Sequence, residues 1–119
     1  MAIYGVICYS LNTGLSNITF DENVINGVNG VSSYHSSLCV KNAQVKQLFF
    51  NIAVNSSANK WVTIANFINI KYLPAVNYYA EISIGGIGAL IMIKYDGQIN
   101  LMSYADITNA PMYFTATYI

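Results

Sequence analysis

The chain has 119 residues and no formal net charge: five lysines and no arginine balance five acidic residues, and charged residues make up only 8% against 55% hydrophobic. That length fits one domain, residues 1–119, able to bury roughly 65% of its unfolded surface, with a charge content well below the ~25% of ordinary soluble domains. The lysines (Lys41, Lys46, Lys60, Lys71 and Lys94) stand one at a time, which argues against a nucleic-acid partner, since phosphate binding needs clustered cations. Lys and Asn also interrupt every apolar run before the ~20 residues of a membrane helix are reached, so no membrane insertion is expected.

The amino terminus lacks a basic segment before its apolar residues and makes a poor signal peptide. Residues 3–11 are β-branched and aromatic and read as a first strand, followed by a break at Asn12-Thr13-Gly14 and a short strand over 16–20. Between Asp21 and Ser37 the pairs Asn26-Gly27 and Asn29-Gly30 tolerate left-handed backbone and predict turns around a short strand or an ordered loop. Residues 38–42 form a strand. The longest strand, 44–55, places Lys46, Leu48, Phe50, Ile52 and Val54 on one face and Val45, Gln47, Phe49, Asn51 and Ala53 on the other. A loop over 56–60 leads to a short strand at 61–66. Leu73-Pro74 breaks any ladder between 67 and 76.

The last third reads as an antiparallel sheet. Residues 78–84 alternate, Gly85-Gly86-Ile87-Gly88 marks a bend or bulge, and 89–95 and 98–104 flank Asp96-Gly97. Asp-Gly between two β-rich runs is a strong hairpin signal, because a type I′ turn needs positive φ at both central residues. A polar loop and the strand 112–119 close the chain. Residues 89–95 and 112–119 are apolar on both faces, as in strands covered on each side. One face then meets the core and the other a neighbouring subunit. The expected fold is an all-β antiparallel sandwich, jelly-roll-like, of about eight strands, assembling as an oligomer.

Catalytic chemistry finds little support. His35 lies in a serine-rich stretch, but no Gly-x-Ser-x-Gly elbow accompanies it, and a surface-loop histidine is the simpler reading. Asp96 belongs to its turn, and the adjacent Asp21 and Glu22 would point to opposite faces of a strand, so no carboxylate pair for glycoside cleavage emerges. No metal cluster or dinucleotide fingerprint is present, and no cofactor is expected. Cys8 and Cys39 match no metal spacing; they are two small buried thiols, or a disulfide in an oxidising compartment. Asn17 and Asn55 head glycosylation sequons expected to stay unused.

What remains is ten tyrosines, one tryptophan and abundant asparagine. Rings stack on the apolar faces of sugars, while amides and carboxylates bind their hydroxyls. Tyr104, Asp106 and Asn109, in one short loop, are the first candidates for glycan contact, with Tyr95 and Trp61 added. Each ring has a packing alternative: Trp61 would be exposed as a sugar platform, but as a structural residue it closes the sandwich or a subunit seam.

The order of a long strand ending Phe49-Phe-Asn-Ile-Ala-Val54, then Trp61-Val-Thr-Ile-Ala65, Leu73-Pro74, a strand–Asp96-Gly97–strand hairpin and a terminal strand carrying Phe114 and Tyr118-Ile119 resembles the distal head domains of tailed-phage receptor-binding proteins. The likeness spans residues 38–119 and departs after Leu73-Pro74, where Ala75-Val76-Asn77 replaces that family's usual Gly-Tyr-Arg-Pro. It implies a homotrimeric head on a tail fibre or baseplate, assembled in the host cytoplasm alongside other tail proteins, that binds a host cell-surface saccharide without catalysis. The alternatives are a structural virion component (fibre cap, collar or capsid decoration) and a free-standing small lectin.

Overall fold

The two longest strands set the frame. In the computed structural model, which describes residues 6–10, 18–20, 24–25, 37–41, 44–67 and 70–119, β5 (Val45–Ser56) and β10 (Ile107–Tyr118) pair antiparallel. The other strands are β1 (Val6–Ser10), β2 (Ile18–Phe20), β3 (Val24–Ile25), β4 (Ser37–Lys41), β6 (Trp61–Phe67), β7 (Tyr78–Ile84), β8 (Ile87–Ile93) and β9 (Gln98–Ser103). The first sheet runs β1-β4-β5-β10, with β3 pairing β5 on the edge that β4 also uses; the second runs β2-β6-β9-β8-β7. Every pairing within the two sheets is antiparallel. The result is the all-β sandwich that the alternating sequence predicts, with ten described strands instead of about eight. His35, Asp21, Glu22, Asn17 and the Asn-Gly pairs lie outside the described residues.

The core forms where the inward faces meet. Leu48, Phe50, Ile52 and Val54 of β5 and Met112, Phe114, Ala116 and Tyr118 of β10 are buried against Ile91 and Ile93 of β8 and Ile99 and Leu101 of β9. Apolar burial stabilises by roughly 25 cal/mol per Å², so this period-two pattern also fixes the register: a slip by one residue would turn each strand's apolar set to solvent. Ala53 is buried as well, on the face that the sequence assigns to the opposite side of β5. The outward face of the second sheet is mixed, with Glu81 opposite Leu90 and Asn100 opposite Met92 and Thr63, but it retains apolar pairs. Leu90 and Met102 are paired, as are Trp61 and Met102, and Tyr79 and Met92; Leu90, Met92 and Met102 are half-buried, while Trp61 and Tyr79 are exposed.

Three local expectations are sharpened or changed. Of the bend and the bulge, Gly85 and Gly86, both at positive φ (58° and 84°), form the bend, a two-residue hairpin turn between Ile84 and Ile87. At Asp96-Gly97 only the glycine takes positive φ (105°). Gly97 donates to the Lys94 carbonyl and Lys94 donates to that of Gln98, closing a longer loop that ends in a left-handed glycine, not a type I′ turn. The Gln98 amide donates to the Asp96 carboxylate and Lys94 pairs with it, and together they hold Asp96 below the usual carboxylate range. Thirdly, β10 starts at Ile107, five residues earlier than the sequence predicts. A register shift between Ile107 and Ala110, with Asn109 at φ 48°, lets the strand continue past the polar residues. Pro111 is tolerated because β10 is an edge strand.

The cysteines are joined. Cys8 of β1 and Cys39 of β4 stand opposite each other in the ladder and form a disulfide. Cys8 is exposed and Cys39 half-buried, so neither is the buried thiol of the simpler sequence reading.

At the carboxyl end, the Tyr118 hydroxyl donates to the Tyr72 carbonyl (2.8 Å), and the Tyr78 ring lies 6.2 Å from that of Tyr118. Burial pushes the Tyr118 phenol above its ordinary value. Because the folded state holds this proton more tightly, stability from the group is full below pH ~10, where unfolded tyrosine titrates, and is lost as pH rises beyond it. Tyr118→Phe is expected to cost about 1–2 kcal/mol at pH 7, by removing a buried hydrogen bond. In urea titrations the gap between the two proteins should narrow from pH 10 to 11; a constant gap would contradict this role.

Candidate functional site

One end of the sandwich gathers polar side chains by register alone. β5 leaves the first sheet at Ser56, paired with Ile107 at the start of β10. The chain then crosses to β6 through residues 57–60, anchored by the Asn59 amide donating to the Ser103 carbonyl (2.7 Å) and by Ala58 bridging Ser103. Asn59 adopts φ 59°, a conformation asparagine tolerates better than most residues. β9 ends at Ser103 on the other side of this crossing, and residues 104–106 lead back to β10.

Two side chains are fixed here by one arm each. The Ala58 amide donates to Asp106 Oδ1 (2.7 Å), and the Asn109 amide donates to Asn55 Oδ1 (2.8 Å). Neither Asp106 Oδ2 nor Asn55 Nδ2 has a partner among the described residues. Both residues line an open cleft of about 360 Å³, together with Ser56, Ser57, Val62, Ile107 and Thr108. The cleft thus offers a carboxylate acceptor, an amide donor and hydroxyls that can do either, beside two apolar side chains. The Lys94–Asp96 ion pair lies elsewhere.

Aromatic rings border this end on the outward face of the second sheet. Trp61, the first residue of β6, is 44% exposed and paired with Met102, so it does not close the sandwich core. Tyr104 is 53% exposed. Its amide donates to the Gly88 carbonyl, and its ring lies against Gly88, where a Cβ would come within 3.0 Å of ring atom Cδ2. The glycine lets the ring rest on the sheet.

Trp61, Tyr104 and Asp106, predicted separately, therefore share one end of the molecule. Asn109 is there too, and its amide donates to Asn55 Oδ1. Tyr95 is not there. It sits in the β8–β9 turn, where its amide donates to Asn77 Oδ1 (2.9 Å), at the far end of that hairpin and about 20 Å along the strands at ~3.3 Å per residue. Sequence reasoning missed Asn55, Ser57 and Thr108 as cleft residues. Asn55 stands out in the sequence only as a sequon, and no local pattern shows that Ser56 pairs with Ile107. Among the described residues no cluster of three or more His, Cys, Asp or Glu gathers. The chain matches no protein-family model and no curated protein.

Proposed function

We propose that this chain is a non-catalytic saccharide-binding head, working as an adhesin of the kind carried on phage tail fibres or baseplates and recognising sugars on the host cell surface. The observation that carries the reading is the pair Asp106 and Asn55: each is oriented by one backbone amide, keeps a further polar atom without a partner among the described residues and lines an open cleft, with Trp61 and Tyr104 exposed at the same end of the second sheet. A fixed carboxylate and amide suit vicinal hydroxyls, and a partly exposed indole suits the C–H face of a pyranose. A single carboxylate in the lining favours binding over glycoside cleavage, which calls for two. The disulfide favours work in oxidising surroundings, as outside a cell.

The test is titration of cell-surface polysaccharides and their oligosaccharides by calorimetry. Saturable binding is expected, with Trp61→Ala and Asp106→Asn weakening it tenfold or more. Asn at 106 keeps an acceptor for the Ala58 amide, so the loop stays folded while the charge is lost. Tyr95→Ala should bind as the parent does. Absence of binding to every saccharide, or equal affinity in all variants, would refute the reading and leave a structural role in the virion as the better account.

A further inference from the structure

β10 presents an open edge that is complementary to itself. Among the described strands it ends the first sheet, pairing with β5 on one side only. In an antiparallel strand, successive residues turn both backbone groups alternately toward one neighbour and the other. Two observations fix which residues face out. Pro111 has no N–H, and a proline within a sheet sits where that group would face away from the ladder. Ile119, in the same alternation, uses its carbonyl outward to accept from the Ala75 amide (3.0 Å). Tyr113, Thr115 and Thr117 therefore point their N–H and C=O groups away from β5, and none of these groups has a partner among the described residues. Their side chains are exposed as well.

This open window is bounded by Pro111, which cannot donate, and by Ile119, whose carbonyl is already used; its midpoint is Thr115. No charged side chain lies between Ile107 and Ile119. The β7 edge of the second sheet differs: β7 carries the exposed Glu81 at its centre, so a second β7 centred there would set two carboxylates face to face, a common protection of edges.

We propose that β10 pairs antiparallel with β10 of a second copy of this chain about a two-fold axis at Thr115. Tyr113 then lies opposite Thr117 of the second copy, and Thr115 opposite Thr115. These three pairs each exchange two backbone hydrogen bonds, and Tyr–Thr and Thr–Thr cross-strand contacts are favourable on the outward face. The two first sheets become one continuous sheet, an isologous contact in the sense of twofold dimers. Three residue pairs bury less than the ~1,200 Å² of a stable interface, so the association is concentration-dependent. The two clefts, each beside the start of β10, fall at opposite ends of the dimer.

The experiment is light scattering with site-directed cross-linking on the intact chain. The mass should rise with concentration from 13.1 kDa toward twice that, 26.2 kDa, and Thr115→Lys should abolish the rise by opposing two like charges. Under mild oxidation Thr115→Cys should form a covalent dimer, because directly hydrogen-bonded partners stand ~5.5 Å apart at Cα, within disulfide reach. Thr117→Cys should not, since its symmetry mate is about 14 Å away along the strand. A parent chain monomeric up to ~1 mM would overturn the proposal. So would equal cross-linking of the two cysteine variants, or a particle of 3 × 13.1 = 39.3 kDa that survives Thr115→Lys, which is the homotrimer implied by the phage-head resemblance. Thr115 is remote from the cleft, so saccharide binding by the lysine variant reports on the functional proposal separately.

Discussion

Phe50→Ala is expected to destabilise the protein by roughly 3–5 kcal/mol, the usual range for emptying a fully buried aromatic site. Phe50 is completely buried and faces Phe114 with ring centroids 6.3 Å apart. The vacated space has no simple way to collapse. β5 is held by β10 along one edge and by β4 and β3 along the other, and Leu48 and Ile52, two residues to either side, are equally buried. A domain of this size has about 5–15 kcal/mol in total, so the variant should unfold at a much lower urea concentration with an unchanged denaturant slope. A loss under ~1 kcal/mol would mean that the two sheets can close over the gap.

The second large effect is expected at the disulfide. Cys8 and Cys39 are separated by 31 positions in sequence, and cross-linking a loop of that length limits the unfolded chain by roughly 3–4 kcal/mol in the chain-entropy account. β1 is an edge strand whose one described partner is β4, so the covalent bond also holds its register. The double variant Cys8→Ala/Cys39→Ala, or the parent in reducing buffer, should lose that stability. Amide exchange should rise first over residues 6–10, while β8 and β9 stay protected. Uniform exchange loss throughout both sheets would show instead that β1 belongs to the same cooperative unit as the core.

The sequence-level reading located strands wherever burial imposes a period of two. In β5, β8 and the last seven residues of β10, the alternating sets Leu48/Phe50/Ile52/Val54, Ala89/Ile91/Ile93 and Met112/Phe114/Ala116/Tyr118 are the buried ones, because each strand has one face committed to the core. Local chemistry was legible in the same way at Asp96-Gly97 and Gly85-Gly86, where two strands must reverse direction within a few residues. Turn class was not, since it depends on how the flanking strands pair.

Within the candidate site, Trp61, Tyr104 and Asp106 were visible as residue types suited to sugars, and the same argument also chose Tyr95, which lies at the other end of its hairpin. Residue type carries no information about which end of a hairpin a side chain occupies. That was decided by the ladder: Trp61 opposite Met102, Ser56 opposite Ile107, and a register shift that carries β10 back past Asn109.

The sequence by itself determined an antiparallel all-β chain, the two alternating faces of its main strands and a composition rich in apolar residues, because alternation and composition are local properties. The tertiary structure alone decided the Cys8–Cys39 bond, the meeting of Asn55 with Asp106 and the open edge at Thr115. Each depends on contacts between residues that lie 31 or more positions apart or on which side of a strand lacks a neighbour, and backbone hydrogen bonding between distant segments follows from the packing of the whole chain.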